Sequence, residues 1–179
     1  MKANPKTHNQ GNFDNLANAE ALRELIHGFI RRFGLLDNKR TPCGMPISVS
    51  DAHALMELLK NPGIEQMELS RRLGLSKSAI SRLLLRLARR GQIQRTKSRD
   101  DGRVYNLSLT QKGKRRAEMI NRESLITFRA ITSGLSEDAA DQLFKCLPLL
   151  IKALPGSRQE LNSEQTRHKL SSQKRGTNI

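Results

Sequence analysis

Between Ser76 and Arg82 the chain places three serine hydroxyls, a lysine and an arginine within two turns' length of a helix. Hydroxyls both donate and accept, and an arginine fork pairs with two acceptors at once, so Ser78, Ser81 and Arg82 suit the edges of nucleic-acid bases. Lys77 opens the same helix, and Arg86 and Arg89 follow one and two turns further on, where phosphate oxygens are the natural partners. A second set, Lys97, Arg99 and Arg103, brackets the acidic turn Asp100-Asp101-Gly102. Arginines at a hairpin tip are drawn into a narrow minor groove by its negative potential. Asp101 has no use against a polyanion, and its expected task is to hold a neighbouring guanidinium in place.

Charge points the same way. Residues 71–116 hold 15 Lys and Arg against Asp100 and Asp101 alone, which is 13 of the chain's net +15. Segregation of this degree is the footprint of a polyanion binder, whereas a merely solvated face does not require it.

These side chains need elements to position them. At ~100° per residue, Ile80, Leu83, Leu84 and Leu87 of a helix over 77–90 fall within a third of its circumference, opposite Ser78, Ser81, Arg82, Arg86 and Arg89. Leu85 falls on the outer side, as a contact for a thymine methyl or as a tolerated surface leucine. Ser76 is placed as N-cap and Gly91 as the stop. Residues 64–73 read as a preceding helix ended by Gly74, with Leu75 in the turn. Residues 92–97 and 104–109 read as a β-hairpin in which Tyr105, Leu107 and Leu109 share one face and 98–103 form the tip.

Outside this unit the pattern is helical. Leu22, Leu25, Ile26, Phe29, Ile30 and Phe33 recur at helical spacing within 14–36, and a second helix is expected over 50–59 with Ser48 or Ser50 as cap. Asn61-Pro62-Gly63 stops it. Thr110 caps a helix over 111–133, and Ser136 caps a last one reaching about 154, which Pro148 is expected to kink. Residues 1–13 read as a flexible arm and 156–179 as a disordered polar tail. The expected organisation is an N-terminal helix and connector over 14–49, a DNA-binding unit over 50–110 and C-terminal helices over 111–155. The fold class is mostly α with a small β-hairpin wing.

Composition narrows the function. The 179 residues include no Trp and one Tyr, so the core must be Leu, Ile and Ala, which favours packed helices. No apolar run reaches the ~18–20 residues of a membrane span, and the N-terminus has no signal-peptide core. Cys43 and Cys146 form no CxxC pair, and a reducing cytoplasm is the expected setting. No catalytic or nucleotide-binding motif is present, so neither an enzyme nor a cofactor is expected. Cys43 and His53 lie near one another in sequence, but 111–133 offers no His or Cys to complete a tetrahedral set. No metal site is expected, and an inert Cys43 and a structural or solvent-facing His53 are the favoured readings.

The run Leu69-Ser70-Arg71-Arg72-Leu73-Gly74-Leu75-Ser76-Lys77-Ser78-Ala79-Ile80-Ser81-Arg82, with Leu87-Ala88-Arg89-Arg90-Gly91-Gln92-Ile93, resembles the DNA-binding core of the multiple-antibiotic-resistance regulator (MarR) family. Asp101-Gly102-Arg103, followed by Leu107-Ser108-Leu109-Thr110-Gln111-Lys112-Gly113, is similar to that family's wing signature. The resemblance implies a winged helix–turn–helix homodimer whose N- and C-terminal dimerisation helices intertwine. It implies double-stranded DNA with a pseudo-palindromic operator as partner, and a small-molecule effector, often an aromatic acid in relatives, bound between dimerisation helices and winged domain. By this match Ser81 and Arg82 occupy recognition positions and Arg103 the wing arginine. His53 falls where zinc-sensing members place a ligand, whereas Leu85 departs from a commonly acidic position. The expected function is a dimeric, ligand-responsive transcriptional repressor. The alternative is a non-specific architectural nucleic-acid binder using the same basic surface.

Overall fold

The computed structural model describes residues 15–97 and 105–154. Its order is α1 (Asn15–Arg32), α2 (Val49–Lys60), β1 (Ile64–Glu65), α3 (Gln66–Arg72), α4 (Lys77–Arg89), β2 (Ile93–Lys97), β3 (Tyr105–Leu109), α5 (Gln111–Ser133) and α6 (Glu137–Ala153). The fold is mostly α, a winged helix–turn–helix with a small antiparallel sheet. Arg99, Asp101 and Arg103, the arm 1–13 and the tail 156–179 lie outside the described residues.

Hydroxyl caps start four of the helices. Ser48, Ser76, Thr110 and Ser136 accept from the backbone N–H of Asp51, Ala79, Gly113 and Ala139 respectively. Each such cap contributes about 1 kcal/mol and fixes where its helix begins. The core lies where α2, α3, α4, α5 and the sheet meet, and Leu55, Leu58, Leu69, Ile80, Leu83, Leu84, Leu87, Leu107 and Ile120 are its largest fully buried apolar side chains.

Two sequence expectations need correction. Residues 64–73 are not one helix: Ile64 and Glu65 form β1, which pairs antiparallel with β3 at Leu107 and Asn106, and the helix starts at Gln66. The sheet order is therefore β1-β3-β2, not a lone hairpin. Pairing with β1 covers an edge of β3 whose peptide groups a bare hairpin would leave open. The last helix, capped by Ser136 as expected, runs through Pro148 to Ala153. The hairpin register sets Ile93 opposite Leu109 and Lys97 opposite Tyr105, so the wing strands leave the core at Leu107 and lead outward.

One joint ties α5 to the end of the helix–turn–helix. The Thr110 hydroxyl donates to the Gly91 carbonyl at 2.6 Å, and Thr110 N–H donates to the Gln92 carbonyl at 3.0 Å. Gly113 lies directly over that Gln92 peptide, so close that a Cβ at 113 would overlap the carbonyl oxygen. Gly113→Ala should therefore lower the unfolding free energy by about 1–3 kcal/mol, as overpacking does. Gly134→Ala, whose Cβ would meet its nearest atom at 3.4 Å, should be the milder change. Urea midpoints of the two variants measure the difference; equal midpoints would show that the joint yields.

Candidate nucleic-acid interface

The turn between α3 and α4 is closed from both sides. Gly74 adopts φ +60, which lets the chain reverse while Leu75 N–H donates to the Ser70 carbonyl at 3.0 Å. The buried Ser70 hydroxyl then donates to the Leu75 carbonyl at 2.6 Å. The next residue, Ser76, caps α4, so the start of that helix is pinned relative to α3.

Ile80, Leu83, Leu84 and Leu87 bury one face of α4 completely. The opposite face leaves Ser78, Ser81, Arg82, Arg86 and Arg89 exposed, Lys77 is exposed at the start of the helix, and Lys97 is exposed at the outer end of β2. Leu85 shares this outer face at 49% exposure. Gln66, at the start of α3, also reaches it: its amide Nε2 donates to Ser81 Oγ at 3.4 Å. Sequence reading passed over Gln66, because nothing local marks a contact between residues 15 positions apart.

The arginines of α4 are not equivalent. Arg82 and Arg89 make no ion pair among the described residues, whereas Arg86 Nη2 lies 2.7 Å from Asp51 Oδ1 and Arg90 Nη1 lies 3.2 Å from Asp51 Oδ2. Asp51 is buried in the first turn of α2, and its carboxylate grips two successive turns at the C-terminal end of α4. Arg86, expected among the phosphate contacts, thus commits part of its guanidinium to this clamp. A second network braces the back of the motif, where Arg72 meets both Glu68 at 2.9 Å and Glu57 at 3.4 Å. The hydrogen bond from Arg72 lowers the Glu68 carboxyl below its ordinary range.

A mostly apolar cavity of about 270 Å³ opens between the end of α1, the connector, α2 and α5. Phe33, Met56, Ile120 and Phe128 line it together with His53 and Cys43. Phe33 reaches it across the chain, its ring centroid 5.7 Å from that of Phe128 on α5. Cys43 Sγ lies 3.0 Å from the Thr41 hydroxyl, and His53 is exposed. Among the described residues no group of three His, Cys, Asp or Glu side chains could hold a metal ion, and no helix is long and apolar enough to cross a membrane.

Residues 44–104 match the sequence model of the MarR family. That span contains α2, the helix–turn–helix and the β2 strand. No curated protein matches the chain. Among solved structures, FabT of Streptococcus pneumoniae in complex with DNA is similar at 24% identity and a TM-score of 0.60, over 77% of this chain and 95% of that one. The S. aureus MepR–DNA complex is similar at 22% identity and 0.59, over 76% and 97%. PcaV of Streptomyces coelicolor in complex with its natural ligand is similar at 21% identity and 0.55, over 83% and 98%.

The Asp51 clamp generates a stability prediction. Asp51→Ala removes the acceptor of two charged hydrogen bonds, worth at most about 1.5–3 kcal/mol each. Arg86 and Arg90 are 46% and 53% exposed and regain water, so the net loss should fall below the sum of the two, at about 1–3 kcal/mol. Asp51→Asn keeps the shape and should lose nearly as much. Denaturant midpoints within error of the unaltered chain would mean the clamp contributes nothing.

Proposed function

We propose that the chain, whose residues 44–104 match the sequence model of the MarR family, is a dimeric, sequence-specific DNA-binding transcription regulator, acting as a ligand-responsive repressor. One observation carries the reading: α4 buries four apolar side chains on one face and turns Ser78, Ser81 and Arg82 outward together on the other. An α-helix fits a major groove, and residues of its N-terminal half reach the base edges. Ser78, Ser81 and Arg82 read bases, while Lys77, Arg86, Arg89 and Lys97 neutralise phosphates. Arg99 and Arg103 take the wing's minor-groove contacts, with Asp101 positioning them. The similarity to the FabT and MepR complexes with DNA supports this assignment.

Dimerisation is supported by apolar surface that the single chain leaves uncovered. In α1, Leu25 is 72% and Phe29 54% exposed, and α6 buries none of its residues although Phe144, Leu149 and Ile151 are all more than half exposed. Paired terminal helices from two copies cover both faces. The cavity between α1, α2 and α5 is the place for the effector: its volume and aromatic lining fit a small, largely apolar ligand, as supported by the similarity to ligand-bound PcaV. The reporter gene of a promoter carrying the site should be expressed more strongly when the regulator is deleted.

The deciding experiment compares a site selected from random DNA with bulk random DNA at one stated salt concentration. A regulator should prefer its site by ~10³-fold or more. A ratio near one would favour the architectural alternative. The site should be a pseudo-palindrome with half-sites about one helical turn, ~10 bp, apart. Arg82→Ala should relax specificity at one position of each half-site at a cost of ~1–3 kcal/mol. Arg103→Ala should instead weaken binding to many sequences alike, and Asp101→Ala should weaken it too, against its simple charge effect. Tighter binding by Asp101→Ala would remove that residue from the wing's support.

Deletion of residues 1–36 tests the dimer separately. The product should be monomeric or aggregated and bind the selected site poorly, as read by analytical ultracentrifugation and a binding titration. A well-folded monomer with unaltered affinity would contradict the dimeric reading.

A further inference from the structure

A second basic site lies at the end of α4 remote from the base-reading half, and we propose that it binds a phosphate group. An open groove of about 490 Å³ runs between Pro46 and Ile47 of the connector, the end of α4 and the start of α5. Arg90, Lys112, Arg115 and Arg116 line it, and no carboxylate does. Two of these cations are already held in place: Arg90 by Asp51, and Arg116 by a hydrogen bond from Nη2 to the Pro46 carbonyl at 3.2 Å. Lys112 and Arg115 are exposed and make no ion pair among the described residues.

Electrostatics makes this arrangement unfavourable while the groove holds only protein and solvent. The N-terminus of a long helix carries about half a positive charge, which favours acidic side chains in its first turn. α5 has no acidic residue there and places Lys112, Arg115 and Arg116 in its first two turns. An anion in the groove offsets both the cations' mutual repulsion and their conflict with the helix.

An independent feature sits in the same wall. Gln92 is only 7% exposed, lines the groove, and its Oε1 has no hydrogen-bond partner among the described residues. A buried amide oxygen without a donor is a costly state. One ligand chemistry answers both observations. The ionised oxygens of a phosphate accept from guanidinium and ammonium groups, while its remaining P–OH, or a hydroxyl of its ester, donates to the Gln92 amide oxygen once that side chain turns outward into the groove.

The groove is separate from the surface that reads bases. Arg90 follows Ser78 by a rise of about 18 Å along the helix, more than the ~12 Å width of a major groove. The phosphate comes either from a free phosphorylated small molecule, which brings the donor for Gln92, or from the backbone of DNA flanking the half-site, whose diester has no P–OH and engages the cations alone. The inference does not rest on the DNA-binding reading, because its first test contains no DNA.

That test titrates the DNA-free full chain with inorganic phosphate at constant ionic strength, following amide resonances by NMR. Saturable shifts are expected at the Gln92 side-chain amide and at the backbone of Lys112 and Arg115. The double variant Lys112→Gln/Arg115→Gln should weaken binding about tenfold or more. Lys114→Gln/Lys39→Gln, with the same change in net charge outside the groove, should leave it nearly intact. A second arm measures affinity for DNA against salt. If the backbone supplies the phosphate, the groove variant should lower the slope of log K by about 0.9 for each phosphate it no longer neutralises. Saturable phosphate binding with an unaltered salt slope assigns the site to a free ligand. No saturable shift together with an unaltered slope overturns the proposal, as does an equal loss in the charge-matched control.

Discussion

Burial of Ile80, Leu83, Leu84 and Leu87 sets the roll of α4 about its own axis, and with it the identity of every side chain turned outward. Full burial of one such side chain is worth about 1.5–3 kcal/mol. Four together rival the 5–15 kcal/mol net stability of an ordinary domain. Exposed ion pairs, at about 0–1 kcal/mol each, cannot compete with that term. The outer face is therefore a by-product of the inner one. Ser78, Ser81 and Arg82 stand where they do because leucines elsewhere on the helix have no other place to go. The Asp51 clamp acts on a finer scale, fastening one end of a helix whose roll is already decided.

What could be read from the residues alone follows the range of the interactions involved. Ser76, Thr110 and Ser136 announce their helices because a cap bonds to an N–H three positions away. The buried face of α4 is equally legible, since its period is a property of the helix itself. β1 is not legible: two residues form a strand only because β3, some forty positions later, offers an unpaired edge. The same holds for Arg86, whose outward orientation follows from the helical wheel while its partner lies 35 residues away. Gln66 and Ser81, Gln92 and Gly113, and Phe33 and Phe128 are further cases of contacts that no local pattern encodes.

Positive charge on this chain divides into groups with different constraints. Arg72, Arg86 and Arg90 have carboxylate partners and belong to the scaffold as much as to the surface. Arg82 and Arg89, presented by a rigid helix, have none among the described residues. Lys112 and Arg115 stand apart from both, at a helix end that should repel them. Net charge alone merges these groups. Their partners, exposure and place along each helix separate them.

The joint at Thr110 and Gly113 has a mechanical consequence. Two backbone-directed hydrogen bonds and a contact too tight for a Cβ weld the start of α5 to the end of α4, leaving little slack between them. From that weld α5 extends for 23 residues, an arm of about 35 Å. Tilting such an arm by about 5° sweeps its free end through about 3 Å, close to the ~3.4 Å spacing of stacked base pairs. Conversely, any frame that grips the far end of α5 constrains the orientation of α4 through the same joint. On the proposed DNA-binding reading, the chain works as a gauge whose accuracy is governed by how stiffly a remote end is held.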